Sequence, residues 1–466
     1  MVSERKSDIL PPKKAYVSKI MEKDLTSGSV LKNILFFSLP YMLSFFLQTL
    51  YGMADLFIIG QFNATDSITA VSIGSQVMHM ITVMIVGLAM GATVTIGLAV
   101  GAKEIKKASR LVGNTVTLFV TGSFAVTALL LLLAKPIVAA MSTPSEAIPG
   151  TLAYLRICFA GIPFITAYNI LSSIFRGLGD AKRPMYFVAV ACVCNIVLDY
   201  LFIGTLGMGA IGAALGTTVS QTISVLTAFL VILKRKTGLV LKKSDFRPQR
   251  NVMGGILKIG LPVALQDGFI QIAFLVITII ANRRGLNDAA AVGIVEKVIG
   301  VLFLVPSSML SAVSALAAQN IGAKKHDRAK QTLGCALIIS IGFGTVASIL
   351  IEFIAPQIIG LFEENADVIR LGSQYLRSYV WDCALAGIHF CFSGYFCALG
   401  KSGVSFLHNS LSIVLMRIPV SWLTSQRYPN NLFPMGLAAP LGSLLSSVIC
   451  VIAYLIITKK QKRSET

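Results

Sequence analysis

An aspartate, Asp55, lies inside the stretch 39–60, which is otherwise long and apolar enough to cross a bilayer. Gln48 and Tyr51 come seven and four residues before it, so on a helix all three line one face. A second acid, Asp199, follows Asn195 by four residues in another apolar stretch and shares its face in the same way. A carboxylate in hydrocarbon costs several kcal/mol, so such residues should face a cavity or a partner, and they mark ion and substrate pathways. Counted at about 1.5 Å per residue, Asp55, Asp199 and Thr217 of the next stretch reach a similar depth in the outer half of the membrane. Two acids among amide, phenol and hydroxyl groups can share a proton or hold a sodium ion, because their charges repel at low dielectric and a cation relieves that. The plainer alternative is a hydrogen-bond network that only locks helices together, but intramembrane acids usually carry function.

The other charges in apolar stretches are Asp267, Glu296, Lys297, Asp382 and Arg417, and structural, gating and substrate roles remain open for them. Pro40 weakens the backbone ladder near the start of the first stretch and makes it the element expected to bend. The four histidines show no metal or nucleophile spacing, and no Ser/His or His/Asp constellation is expected at one depth, which counts against an intramembrane enzyme. No phosphate-binding loop of the ATPase type is present, so a transporter of this kind would draw on an ion gradient. The eight cysteines all lie in apolar stretches without a CxxC pair and read as reduced packing residues, with neither cofactor nor metal framework.

Hydrophobic residues make up 55% of the chain and charged residues 13%, and the mean hydropathy is +0.77. That composition specifies an all-α polytopic membrane protein. The formal net charge of +19 is spread in short clusters between apolar stretches, which speaks for membrane topology and against a nucleic-acid partner. Twelve spanning segments are expected, near 34–60, 68–99, 112–140, 150–175, 184–206, 209–233, 254–281, 289–317, 333–358, 369–397, 403–424 and 434–457. Loop by loop, Lys and Arg crowd one side, with only Lys135, Arg283, Arg284 and Arg427 opposite, so both termini are expected in the cytoplasm of a multi-pass plasma-membrane protein. The polar N-terminus lacks the apolar core of a cleaved signal.

The chain repeats itself. Leu39-Pro40 returns as Leu261-Pro262, Gly101-Ala-Lys103 as Gly322-Ala-Lys324, Tyr154-Leu-Arg156 as Tyr375-Leu-Arg377, and Leu178-Gly179 as Leu399-Gly400. Two six-helix lobes, each entering from the same side, are then related by a pseudo-two-fold along the membrane normal and face each other across a cleft. The expected division is a cytoplasmic tail over 1–30, an N-lobe over 31–234, a cytoplasmic linker over 235–250, a C-lobe over 251–458 and a second tail over 459–466. Asp55 and Asp199 break the repeat, since their counterparts fall near Val276 and Ile277 and at Val420 or Ser421.

With its Pro40-to-Asp55 spacing, 173–184 (SIFRGLGDAKRP), 195–200 (NIVLDY), Gly101-Ala-Lys and 319–324 (QNIGAK), the chain resembles the multidrug and toxic compound extrusion (MATE) family, of its DinF-like and MepA-like bacterial branch, from about residue 30 to 458. The resemblance implies two lobes in a V, alternating access, and export of cationic amphiphiles against entering protons or sodium ions. It also implies a cation-coupling network in the N-lobe, which on this chain comprises Pro40, Gln48, Tyr51 and Asp55, Asn169, Asn195 and Asp199, and Thr217. A position where members often show a further Asn is Ser172 here. The NorM-like branch keeps a carboxylate on its seventh helix where this chain has Gln271, which tilts the expectation toward a proton. No cofactor is expected, and the partners are cationic small molecules and the bilayer, with a monomeric protein. A lipid-linked oligosaccharide flippase of the same superfamily is the alternative reading, disfavoured by twelve helices and acidic cavity residues.

Overall fold

The computed structural model describes residues 24–62, 65–234 and 241–465. Most of the expected N-terminal tail and the first part of the expected linker lie outside the described residues. Among the described residues the chain is helical and carries no strand.

The first lobe comprises α1 (Val30–Phe62), α2 (Thr65–Gly101), α3 (Ile105–Ala140), α4 (Ile148–Ala160), α5 (Ile162–Gly177), α6 (Lys182–Asp199), which runs into a π turn at Tyr200–Thr205, and α7 (Gly209–Lys234). The second comprises α8 (Arg250–Asn282), α9 (Leu286–Leu302), α10 (Leu304–Gly322), α11 (His326–Gly360), α12 (Ala366–Tyr379), α13 (Asp382–Ala398), α14 (Ser402–Ser412), a π turn at Ile413–Arg417, α15 (Ile418–Arg427), α16 (Phe433–Gly436) and α17 (Ala438–Glu465). Ten of the resulting spans are long and apolar enough to cross a membrane, and α4 with α5 makes an eleventh, bent by 49°. Pro163, the second residue of α5, lacks an amide donor, and this chemistry accounts for the bend. The twelfth segment is α12 with α13. It breaks at Val380 and Trp381, and its first half is amphipathic, with Arg370, Gln374 and Arg377 among its residues. These polar residues make the expected 369–397 span less apolar than its neighbours.

Packing shows how the lobes meet. One buried core contains residues of both, among them Ile34, Phe37, Met90 and Val94 of the first and Ile259, Met309, Leu316 and Phe396 of the second. Two further cores are private, one holding Ile58, Tyr154, Phe159 and Ala214, the other Ile277, Val295, Tyr375 and Met435. The lobes are therefore joined at the end where α2, α5, α10 and α13 terminate and have separate cores at the other. The seam is built on backbone proximity: a Cβ at Gly91 of α2 would collide with the Ile256 carbonyl of α8, and one at Gly260 with the Leu88 carbonyl. Small residues that let helix backbones touch are the usual adhesive in hydrocarbon, where burial of apolar surface gives no driving force.

At the joined end the segment before α1 is clamped onto the second lobe. Leu25 is fully buried, Lys325 Nζ donates to the Thr26 carbonyl at 2.7 Å, and Arg328 donates to the carbonyls of Ser27 at 2.7 Å and Gly28 at 2.8 Å. The described part of the expected linker is also held in place. Asn114 of α3 donates to the Asp245 carbonyl at 3.0 Å and accepts from the Gln249 amide at 2.8 Å.

Candidate functional site

Three helices converge on Asp55. It lies in α1 at 4% exposure, opposite Asp199, which ends α6 at 0% and has Asn195 one turn before it at 1%. The Asp55 carboxyl faces the side chains of Asp199, Asn195 and Thr217. Thr217 Oγ1 of α7 donates to Asp55 Oδ2 at 3.2 Å. The remaining polar atoms of the group are left over: Asp55 Oδ1, both Asp199 oxygens and both Asn195 amide atoms are buried without a hydrogen-bond partner. Groups buried in this state cost about 1–3 kcal/mol each, more when charged. No lysine or arginine forms an ion pair with either acid among the described residues. A compact cation among these oxygens would satisfy them, whether a proton bridging the carboxyls or a sodium ion coordinated by carboxylate, amide and hydroxyl oxygens.

Backbone geometry serves this cluster. Asp199 sits where α6 passes into the π turn Tyr200–Thr205, and such turns often occur at functional sites, where they redirect side chains. Across from it Gly216 leaves room, since a Cβ there would overlap Asp199 Oδ1 and approach Asn195 Nδ2. Tyr51, one turn before Asp55, accepts a long 3.5 Å contact from Gln221 Nε2 of α7. Gln221 is a neighbour the sequence pattern did not single out.

The other expected members lie elsewhere. Gln48 and Asn169 line a separate pocket together with Tyr41, Ser44, Ser172 and Arg176. Gln48 is seven residues from Asp55, or ~10 Å along α1, and Asn169 Nδ2 donates to its own helix at Ile165 O, 2.8 Å away. Pro40 is inside α1, which continues through it, and its carbonyl accepts a 2.9 Å hydrogen bond from Ser44 Oγ.

The second lobe contains a cluster that the sequence reading did not foresee and that corrects its expectation of no Ser/His or His/Asp grouping. Arg417 Nη2 donates to Asp382 Oδ2 at 3.1 Å and to Ser443 Oγ at 3.0 Å. His389 Nε2 lies 3.3 Å from the same Ser443 hydroxyl. His408, its ring centroid 5.6 Å from that of His389, lies 2.9 Å from Ser393 Oγ through Nε2 and 3.2 Å from Ser446 Oγ through Nδ1. These partners come from α13, α14, the second π turn and α17, so no sequence spacing announces them. Asp267 of α8 reaches the first lobe instead, its carboxyl against Gly87 of α2.

The MatE family description matches the chain twice, over residues 40–201 and 262–423, which is the repeat seen in the sequence. Among curated relatives, "Probable multidrug resistance protein YpnP" of Bacillus subtilis (strain 168) is 29% identical over 431 residues, covering 92% of this chain and 96% of its own. "Multidrug export protein MepA" of Staphylococcus aureus (strain MSSA476) is 26% identical over 434 residues, covering 92% and 93%. Among solved structures, a MATE crystallised in complex with MaL6 superposes with a TM-score of 0.88 at 23% identity, over 94% of this chain and 98% of that one. An outward-facing multidrug resistance MATE family transporter of the MOP superfamily superposes equally well, at 0.88 and 24% identity.

Proposed function

The chain belongs to the MatE family of multi-pass membrane transporters, and from that premise we propose that it is a secondary antiporter that exports cationic amphiphilic compounds in exchange for protons or sodium ions. The observation that carries the reading is the buried Asp55–Asp199 group, two acids from different helices with unsatisfied oxygens and no fixed counter-charge. The family names of its relatives point to drug export, and the cation-coupling role of Asp55, Asp199, Asn195, Thr217 and Tyr51 is our assignment.

The proposed cycle uses the two-lobe frame. With the lobes joined at the basic end and separate at the other, an external cation reaches the acids and neutralises them. Neutralisation removes the repulsion and the demand for hydration at α1. That helix is the one weakened at Pro40, so it is the element to rearrange. The cavity of the lobe narrows and a bound cationic amphiphile leaves. Substrate and coupling ion must therefore disfavour each other's binding, and that coupling is reciprocal. The charge bias of the loops supports cytoplasmic termini in the plasma membrane, an N-lobe over 31–234 and a C-lobe over 251–458. The test is transport by purified protein in liposomes under a proton gradient and a sodium gradient imposed separately. Uptake or release of a cationic dye driven by at least one of them is expected, and indifference to both would exclude antiport.

A further inference from the structure

Arg176, in the last turn of α5, is only 7% exposed. Its guanidinium makes no hydrogen bond or ion pair with any described residue. Its neighbours are aromatic: the guanidinium carbon lies 5.1 Å from the centroid of the Tyr41 ring, and Tyr168 lines the same pocket. The acid nearest in sequence, Asp180, is committed elsewhere, pairing with Arg183 at 3.1 Å and accepting the backbone amides of Lys182 and Arg183 at 3.0 and 3.1 Å. A buried cation is stable only with compensating charge or hydrogen bonds, and a ring face supplies a small part of that.

The guanidinium lines the pocket between α1 and α5 described above, with Tyr41, Ser44, Gln48 and Ser172. Ser172 adds a hydroxyl: the residue is 1% exposed and lines the same pocket as Tyr168 and Gln48. Gln48 adds an amide donor, while Phe45 and Val86 give the pocket an apolar flank. A planar fork of N–H groups beside a hydroxyl and an amide fits a phosphate or carboxylate, which such a fork binds in bidentate fashion. Lys182, whose Nζ lies 4.4 Å from the centroid of the Phe36 ring, adds positive field at the same end of the lobe and favours the approach of an anion.

We propose that this pocket is an anion-binding site that takes the phosphate or carboxylate headgroup of an amphiphile, with Arg176 as its central contact and Ser172 and Gln48 beside it. The site is distinct from the Asp55–Asp199 group and does not rest on the antiport reading. Two members of the network implied by the family resemblance, Gln48 and Asn169, line this cationic pocket and do not contact the carboxylate pair.

The experiment is calorimetric titration of purified full-length protein in a neutral detergent with dioctanoyl phosphatidate, decanoate and inorganic phosphate, and with uncharged dioctanoylglycerol as reference. Saturable binding of at least one anionic probe is expected, weakened tenfold or more by Arg176→Gln and unchanged by Arg110→Gln on the exposed surface of α3. Binding of inorganic phosphate as well would show that the headgroup suffices, and binding of the amphiphiles alone that the apolar flank contributes. Where Arg176→Gln fails to give folded protein, the Ser172→Val/Gln48→Leu pair replaces it and should weaken binding several-fold. Absence of saturable binding by all three anions, equal binding of dioctanoylglycerol, or full affinity in the folded variant would overturn the proposal.

Discussion

Where the first lobe has Asp55 and Asp199, the repeat gives the second lobe Ile277, packed in its private core, and Ser421, an uncharged residue that is buried. The second lobe has one cluster of buried charge that is paired internally, Asp382 with Arg417, which also donates to Ser443, with the two histidines bonded to serines. Asp267, against Gly87, and Glu296, whose Oε1 is buried without a partner, stand apart from it as single acids with no ion pair among the described residues. The first lobe holds two acids together with a single donated hydrogen bond at 3.2 Å. Both lobes place a π turn in the same helix of the repeat, at Tyr200–Thr205 and Ile413–Arg417, each beside its buried charge. The frame is duplicated and the charge balance is not. A paired cluster such as Asp382–Arg417 can hold helices in place; on the proposed reading the first-lobe pair, two acids together without a counter-charge, recruits a cation from outside.

The sharpest way to break this comparison is to remove charge from one lobe at a time. Asp55→Asn keeps shape and hydrogen bonding but cannot ionise, so transport should fall close to background while the purified protein keeps its thermal stability. Near-normal dye efflux from well-expressed Asp55→Asn would equalise the lobes and end the argument. Arg417→Met should do the reverse, because it strands Asp382 in the interior; a loss of stability of about 3–5 kcal/mol is expected, with most of it recovered in Asp382→Leu/Arg417→Met. Thermal unfolding in detergent measures both. If Arg417→Met unfolds like wild type, the second-lobe cluster is not a structural pair.

Much of this contrast was legible in the sequence. Acids inside apolar stretches stand out one by one, the repeat identifies those without a counterpart, and the i, i+4 spacing of Asn195 and Asp199 places them on one face. The histidine cluster was hidden because its members come from four elements and only the fold brings Ser443 to both Arg417 and His389. Arg176 was hidden for another reason: a basic residue at the end of a spanning helix normally extends to water, and only the structure reveals that this one is enclosed. The break at Val380 and Trp381 was hidden as well, because 369–397 reads as one span and only the structure separates the amphipathic α12 from the apolar α13.

Smaller substitutions sharpen the first-lobe geometry. Gly216→Ala puts a methyl group onto Asp199 and should lower transport roughly tenfold, equivalent to about 1.4 kcal/mol, read as initial efflux rate per protein. An unaffected rate would mean that Asp199 moves freely and that the close packing of α6 and α7 is incidental. Tyr51→Phe removes one end of the long contact to Gln221 and should cost under about 1 kcal/mol, visible as a modest slowing of efflux. A loss as severe as that of Asp55→Asn would move Tyr51 from the edge of the site to its centre.

The claim at the centre is that an external cation and the exported cation compete for the Asp55–Asp199 lobe. The direct measurement is the dissociation constant of a cationic dye for purified protein, taken across pH and across sodium concentration at fixed ionic strength, in wild type and in Asp55→Asn/Asp199→Asn. If protons compete, wild-type affinity rises with pH; if sodium competes, it falls as sodium is added. The double variant should show neither dependence. Wild-type affinity indifferent to both ions, or the same dependence preserved in the double variant, would contradict the account.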